Sequence, residues 1–181
     1  MACANMKFRQ LNIADCRGLR ASCLSADCLR AGSIRLALAL VLALLVVPGY
    51  IVAPALFANL DTASQAGHLA GIIFHTANRA ILLLLIALAL FWRGRDAGRW
   101  RWIMLTALLL LCGTQEFALA PHMQAMKEAM GPIDALPEGD PQRGAFGMWH
   151  GISALMHLAA SILAVLLAAL GWNGRRDACK T

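Results

Sequence analysis

The chain has 181 residues, of which 60% are hydrophobic and only 14% charged, and it carries a formal net charge of +6. Soluble domains carry roughly a quarter charged residues, so an ordinary soluble domain is excluded, and the length allows a single domain. The basic residues lie outside four long apolar blocks, a distribution that the topology of a membrane protein accounts for, so nucleic acid is set aside as a partner in favour of the lipid bilayer.

In chain order, residues 1 to 33 form a polar, basic tail containing Cys3, Cys16, Cys23 and Cys28. No zinc spacing is present there, and a disulfide framework does not suit a reducing compartment. The transmembrane domain is predicted over residues 34 to 172, followed by a short tail at 173 to 181. Its spans run from Leu36 to Leu56, Leu69 to Trp92, Trp102 to Ala120 and Phe146 to Trp172. Each meets the requirement of about 20 mostly apolar residues for crossing some 30 Å of hydrocarbon. The runs are continuous and lack the alternation of barrel strands, so the expected fold is all-α, a polytopic four-helix bundle. The first run is too long, and too far from the start of the chain, for a cleaved signal peptide.

The short connection between spans two and three is basic (Arg93, Arg95, Arg99, Arg101), as are the two tails, whereas the opposite connections are acidic (Asp61, Glu128, Asp134, Glu138, Asp140). The positive-inside rule then places both termini in the cytoplasm of a bacterial inner membrane, with Trp92, Trp100, Trp102 and Trp172 in the aromatic belt on that side. The external loop from Met123 to Arg143 opens with the Met-rich piece HMQAMKEAM, which suits an interfacial helix, and ends in a stretch with Pro132, Pro137 and Pro141.

A weak repeat suggests two related helical hairpins. Span one ends YIVAP and span three FALAP, with Pro54 and Pro121 as helix ends. His68 and His75 in span two match His150 and His157 in span four, seven residues apart in each pair. Gly67 and Gly71, and Gly147 and Gly151, stand at helix-packing spacing nearby.

All five histidines (His68, His75, His122, His150 and His157) fall in the external halves of the spans or at their ends. Arg79, Glu116 and His157 share a level about 20 to 22 Å from the cytoplasmic edge, with His75 slightly higher. Charge in lipid is costly, so these groups should face inward and pair, with Arg79 and Glu116 as the natural ion pair and Tyr50, Asn78 and Gln115 as polar neighbours. Imidazole is the commonest ligand for copper and haem iron. His68 opposite His150 and His75 opposite His157 would make two two-histidine levels, and Met123 and Met156 would add thioethers suited to cuprous copper. The preferred expectation is therefore binding or handling of a metal ion or haem b by the five histidines. The alternatives are a small transporter or channel component with a polar relay, or a structural subunit in a homo-oligomer or with a membrane partner. Hydrolase and nucleotide motifs are missing, which argues against an enzyme.

The segments YIVAPALFANL, QAGHLAGIIFHTAN, QEFALAPHM and FGMWHGISALMHL resemble the transmembrane protein 205-like family over about Ile34 to Trp172. The cues are Pro54, Gly67, Gly71, Phe74 and Pro121. The resemblance implies a four-helix membrane protein, with a hint of metal handling from an animal member linked to platinum-drug resistance. In layout the chain is also distantly similar to copper-resistance D membrane proteins and to a haem-associated bacterial protoporphyrinogen oxidase.

Overall fold

A computed structural model describes residues 26–92 and 98–172. The tail cysteines and basic residues before Ala26, Arg93 and Arg95 between the second and third spans, and Arg175, Arg176, Cys179 and Lys180 fall outside these residues, as do the side chains of Cys28, Arg30 and Trp172.

The described residues form four long helices and no strand. Helix α1 comprises Ala26–Val46, a π-helical stretch Val47–Val52 and Ala53–Asn59. Helix α2 is Ala63–Trp92; α3 comprises Arg99–Thr114, a π-helical stretch Gln115–Leu119 and Ala120–Met130; α4 is Pro141–Trp172. All four are long and apolar enough to cross a membrane. They form a ring in which α1 packs against α2 and α4, and α3 against α4 and α2.

Two expected boundaries are corrected. Pro54 and Pro121 do not end their helices: each stands at the start of an α-helical segment that follows directly on a π segment. A proline ring clashes with the carbonyl four residues earlier and offers no N–H. The wider π turn is a recognised break in the i→i−4 ladder, and it lets the helix run on past such a residue. The Met-rich piece is thus the last turns of α3, and the expected long loop shrinks to residues 131–140. Gly131, at φ 71°, ends α3 in a backbone region that L side chains rarely adopt. Asp140 then starts α4 by accepting the Gln142 N–H on Oδ1 at 2.7 Å, with Pro141 next to it in the first turn.

The connection also closes over its neighbour. Asp134 accepts the backbone N–H groups of Ala63 (3.2 Å) and Ser64 (2.9 Å), placing a carboxylate on the N-terminus of α2, where orphan donors and the helix dipole favour it.

The bundle is dry at one end and polar towards the other. Leu38, Val41, Leu45, Ile81, Leu85, Leu88, Leu105, Leu108, Ala164 and Leu167 form a continuous apolar core in the half nearer the tails, with Trp92 against Trp102 at its edge. Cys112 is buried within it as a free thiol, in a packing role. The outer surface is apolar too: Leu83, Leu90, Leu110, Phe117 and Leu155 are each more than 60% exposed. Water would not tolerate so large a continuous apolar surface, whereas acyl chains do. The protein is a multi-pass membrane protein.

The glycines expected at helix contacts do not lie there. A Cβ added at Gly71, Gly147 or Gly151 would meet no described atom within 4 Å, and one at Gly67 only touches Lys127 and Phe57 at about 4 Å. The close approach is at Gly49 instead, where an added Cβ would run into His157 Nε2.

Candidate functional site: a carboxylate cluster within the bundle

Just above the apolar core, the buried residues turn polar: Asn78 on α2, Gln115 and Glu116 on α3 and Ser161 on α4. Glu116 is the hub. Its side chain is only 2% exposed, and it accepts from Arg79 Nε at 2.7 Å and faces His75 Nδ1 at 3.0 Å. His75 and Arg79 are four residues apart on α2, so they stand on one face, one turn above the other, and a single carboxylate reaches both. Glu116 itself lies in the π segment of α3. A π turn changes which side chains face inward, and such turns concentrate at functional sites.

The cluster is asymmetric in its exposure. Glu116 is sealed inside, but the Arg79 side chain is 72% exposed and that of His75 40% exposed. Arg79 spends Nε on the ion pair and leaves most of its side chain exposed, on the stripe of α2 that also carries the exposed Ile72, Leu83 and Ile86. The expectation that every intramembrane charge faces the interior is therefore corrected for Arg79. Beside the cluster, Gln115 Nε2 donates to the Ser153 carbonyl at 3.0 Å, while its buried Oε1 has no hydrogen-bond partner among the described residues.

The repeat-related pair of helices, α1 and α4, builds a different site at the equivalent place. Aligning YIVAP with FALAP sets Gly49 against Glu116, and both fall in π segments. His157, the counterpart of His75, finds no carboxylate there. Its ring lies on Gly49, donates Nε2–H to the Leu45 carbonyl at 3.0 Å, and packs edge-on against Phe74 and beside Tyr50. Ser161, four residues on like Arg79 in the other hairpin, donates to the His157 carbonyl at 2.9 Å and accepts from the half-exposed Tyr50 hydroxyl at 3.4 Å.

The remaining candidates stand apart. His122 packs on Trp149 and His150 stacks on Phe146, both imidazoles exposed at the bundle end. His68, also exposed, lines a shallow depression with Leu60, Ser64, Gln65 and Leu69. Met123 and Met156 are half-buried. His75 and His157 turn to different helices, α3 and α1, and among the described residues no group of three or more His, Cys, Asp or Glu side chains is placed to hold a metal ion. Gly49 is the residue that sequence reasoning missed; its alignment with Glu116 in the repeat was the available signal.

A search of curated proteins and one of solved structures each find no match to this chain. A family model described as a domain of unknown function, DUF4149, matches residues 36–132. The matched stretch takes in α1 from Leu36 onward, α2 and α3, hence both π segments and the whole Arg79–Glu116–His75 cluster, and stops before α4. It spans more than half of the chain, and the protein belongs to the DUF4149 family.

Proposed function

We propose that the protein is a docking subunit within the membrane, in which buried Glu116 holds an arginine and a histidine at the lipid-facing surface for an external polar partner. The observation that carries this reading is the contrast between a carboxylate 2% exposed and the guanidinium bonded to it, 72% exposed. N–H groups with no acceptor in hydrocarbon cost several kcal/mol each, roughly. A bundle that turns them outward is completed by an acceptor from elsewhere. The reading includes the bacterial inner membrane, both termini cytoplasmic, and the cluster in the half nearer the outer face.

A photo-crosslinking residue placed at Leu83, one turn from Arg79, tests this in intact membranes. Adducts with a membrane component are expected, and they should fall several-fold in the neutral double variant Arg79→Leu/Glu116→Gln; the same probe at Val165, exposed on α4, should be indifferent. Equal labelling from both positions, unmoved by the arginine, would remove the docking reading.

A second reading, binding of haem, is favoured by one feature of His75. Ligating histidines usually give their second ring nitrogen to a carboxylate, and His75 Nδ1 stands on Glu116, leaving Nε2 clear. A bare copper ion would need a set of donors that stand apart here, whereas haem, with four donors of its own, would ask the protein only for an imidazole and for a cation beside its propionates. His75 would supply the first and Arg79 the second, and the iron would supply redox or ligand-binding chemistry. The resemblance to the transmembrane protein 205-like family leans the same way. Purified protein should then show a haem absorption band that is lost in His75→Ala; colourless protein after expression with added haem would discard this reading. Transport is weakly supported, because the core between the cluster and the tails is wholly apolar.

A further inference from the structure

The open face of the cluster has a composition that selects its occupant. Arg79 and Glu116 cancel in charge, so the cluster is neutral when His75 is neutral. With a carboxylate at Nδ1, the neutral ring carries its hydrogen there, and Nε2 is a lone-pair acceptor on the half-exposed side. One turn away, Arg79 offers its outer guanidinium donors. Thr76, on the flank of this strip towards α1, is exposed, with its hydroxyl hydrogen committed to the Ile72 carbonyl at 2.9 Å. An acceptor and a set of donors thus stand one turn apart on one strip of α2, framed by exposed Ile72, Leu83 and Ile86.

An anionic lipid fits this strip poorly on two counts. Arg79 stands about 20 Å along α2 from the Trp92 end, which is roughly 10 Å inside a hydrocarbon layer of about 30 Å. A carboxylate or phosphate would also add net negative charge to a neutral cluster in a medium of low dielectric constant, and would leave His75 Nε2 without a donor. The strip needs a neutral partner that supplies acceptors to Arg79 and donors to His75 at the same depth. A second copy meets every condition, because a twofold axis along the membrane normal brings the same levels together and makes a patch with both functions self-complementary. Side chains of a helix also tilt towards its N-terminus, which carries Arg79 towards the His75 level.

Resting on the docking reading above, we infer that the partner is a second copy of this chain, in a parallel dimer across α2 in which Arg79 of each protomer donates to His75 Nε2 of the other.

The full-length protein, labelled with one fluorophore per chain and reconstituted at high dilution in vesicles of phosphatidylcholine, tests this by counting photobleaching steps. Two-step traces should predominate. Because Arg79→Leu alone strands the buried Glu116 and can unfold the bundle, the neutral double variant Arg79→Leu/Glu116→Gln is compared with His75→Phe, and both should shift the vesicles to single-step traces. In a background with all six cysteines replaced, Thr76→Cys should cross-link to itself and Leu155→Cys on α4 should not. Single-step traces for the unaltered protein, dimers that survive both variants, or dimers dispersed by added phosphatidylglycerol would each overturn the dimer. If the crosslinks at Leu83 were to a different membrane component, the dimer would fail while the docking reading stood.

Discussion

Changing Glu116 to leucine is expected to cost about 3–5 kcal/mol of stability, the usual consequence of removing one partner from a buried ion pair. Two groups lose their anchor at once: Arg79, bonded to Oε1 at 2.7 Å, and His75, 3.0 Å from Oε2. The cost arises from what remains, an uncompensated guanidinium in hydrocarbon. Adding Arg79→Leu should therefore recover a large part of it, although the double variant has fewer interactions than the single one. Thermal unfolding in detergent, followed by helical circular dichroism, measures the three variants against one another. Asp61→Asn, at an exposed position beyond the end of α1, serves as the reference and should lie within about 0.5 kcal/mol of the unaltered protein. If Glu116→Leu unfolded no earlier than Asp61→Asn, the cluster would be peripheral to the fold. If the double variant were no better than the single, the carboxylate would be holding something other than Arg79.

The number of helices and their order were legible because lipid demands long uninterrupted apolar runs, and composition alone reports these. Their ends were not. Proline reads as a stop, yet Pro54 and Pro121 sit within continuous helices because a π turn precedes each of them. A π turn has no residue signature, and it follows from packing that a single chain segment does not display. The level shared by Arg79, Glu116 and the histidines could be counted from the rise per residue, and so could the stripe joining His75 to Arg79. The phase of that stripe could not, because spacing within one helix says nothing about which neighbour it faces. That is why the sequence suggests His75 opposite His157, while the structure gives each imidazole to a separate π segment and leaves Arg79 turned outward.

The same π segments make Gly49 the second sensitive position. Gly49→Ala is expected to destabilise the bundle by about 1–3 kcal/mol, the range for forcing extra volume into a packed interior. The added Cβ would run into His157 Nε2 and lie 2.8 Å from its Cδ2, so close that something must move. Two responses are open, and both cost. Rotation of the imidazole breaks its 3.0 Å bond to the Leu45 carbonyl and its edge-on contact with Phe74. Separation of α1 from α4 opens the core around Leu45, which is fully buried. His157→Ala removes the obstruction, so the pair Gly49→Ala/His157→Ala should be no less stable than His157→Ala alone, and a double-mutant cycle should show coupling of the same size as the penalty. Strict additivity would mean that the ring already has room to turn aside. It would also remove the physical reason for glycine at the place where the other hairpin carries Glu116, since a small residue is needed there only while an imidazole occupies the space that a side chain would fill.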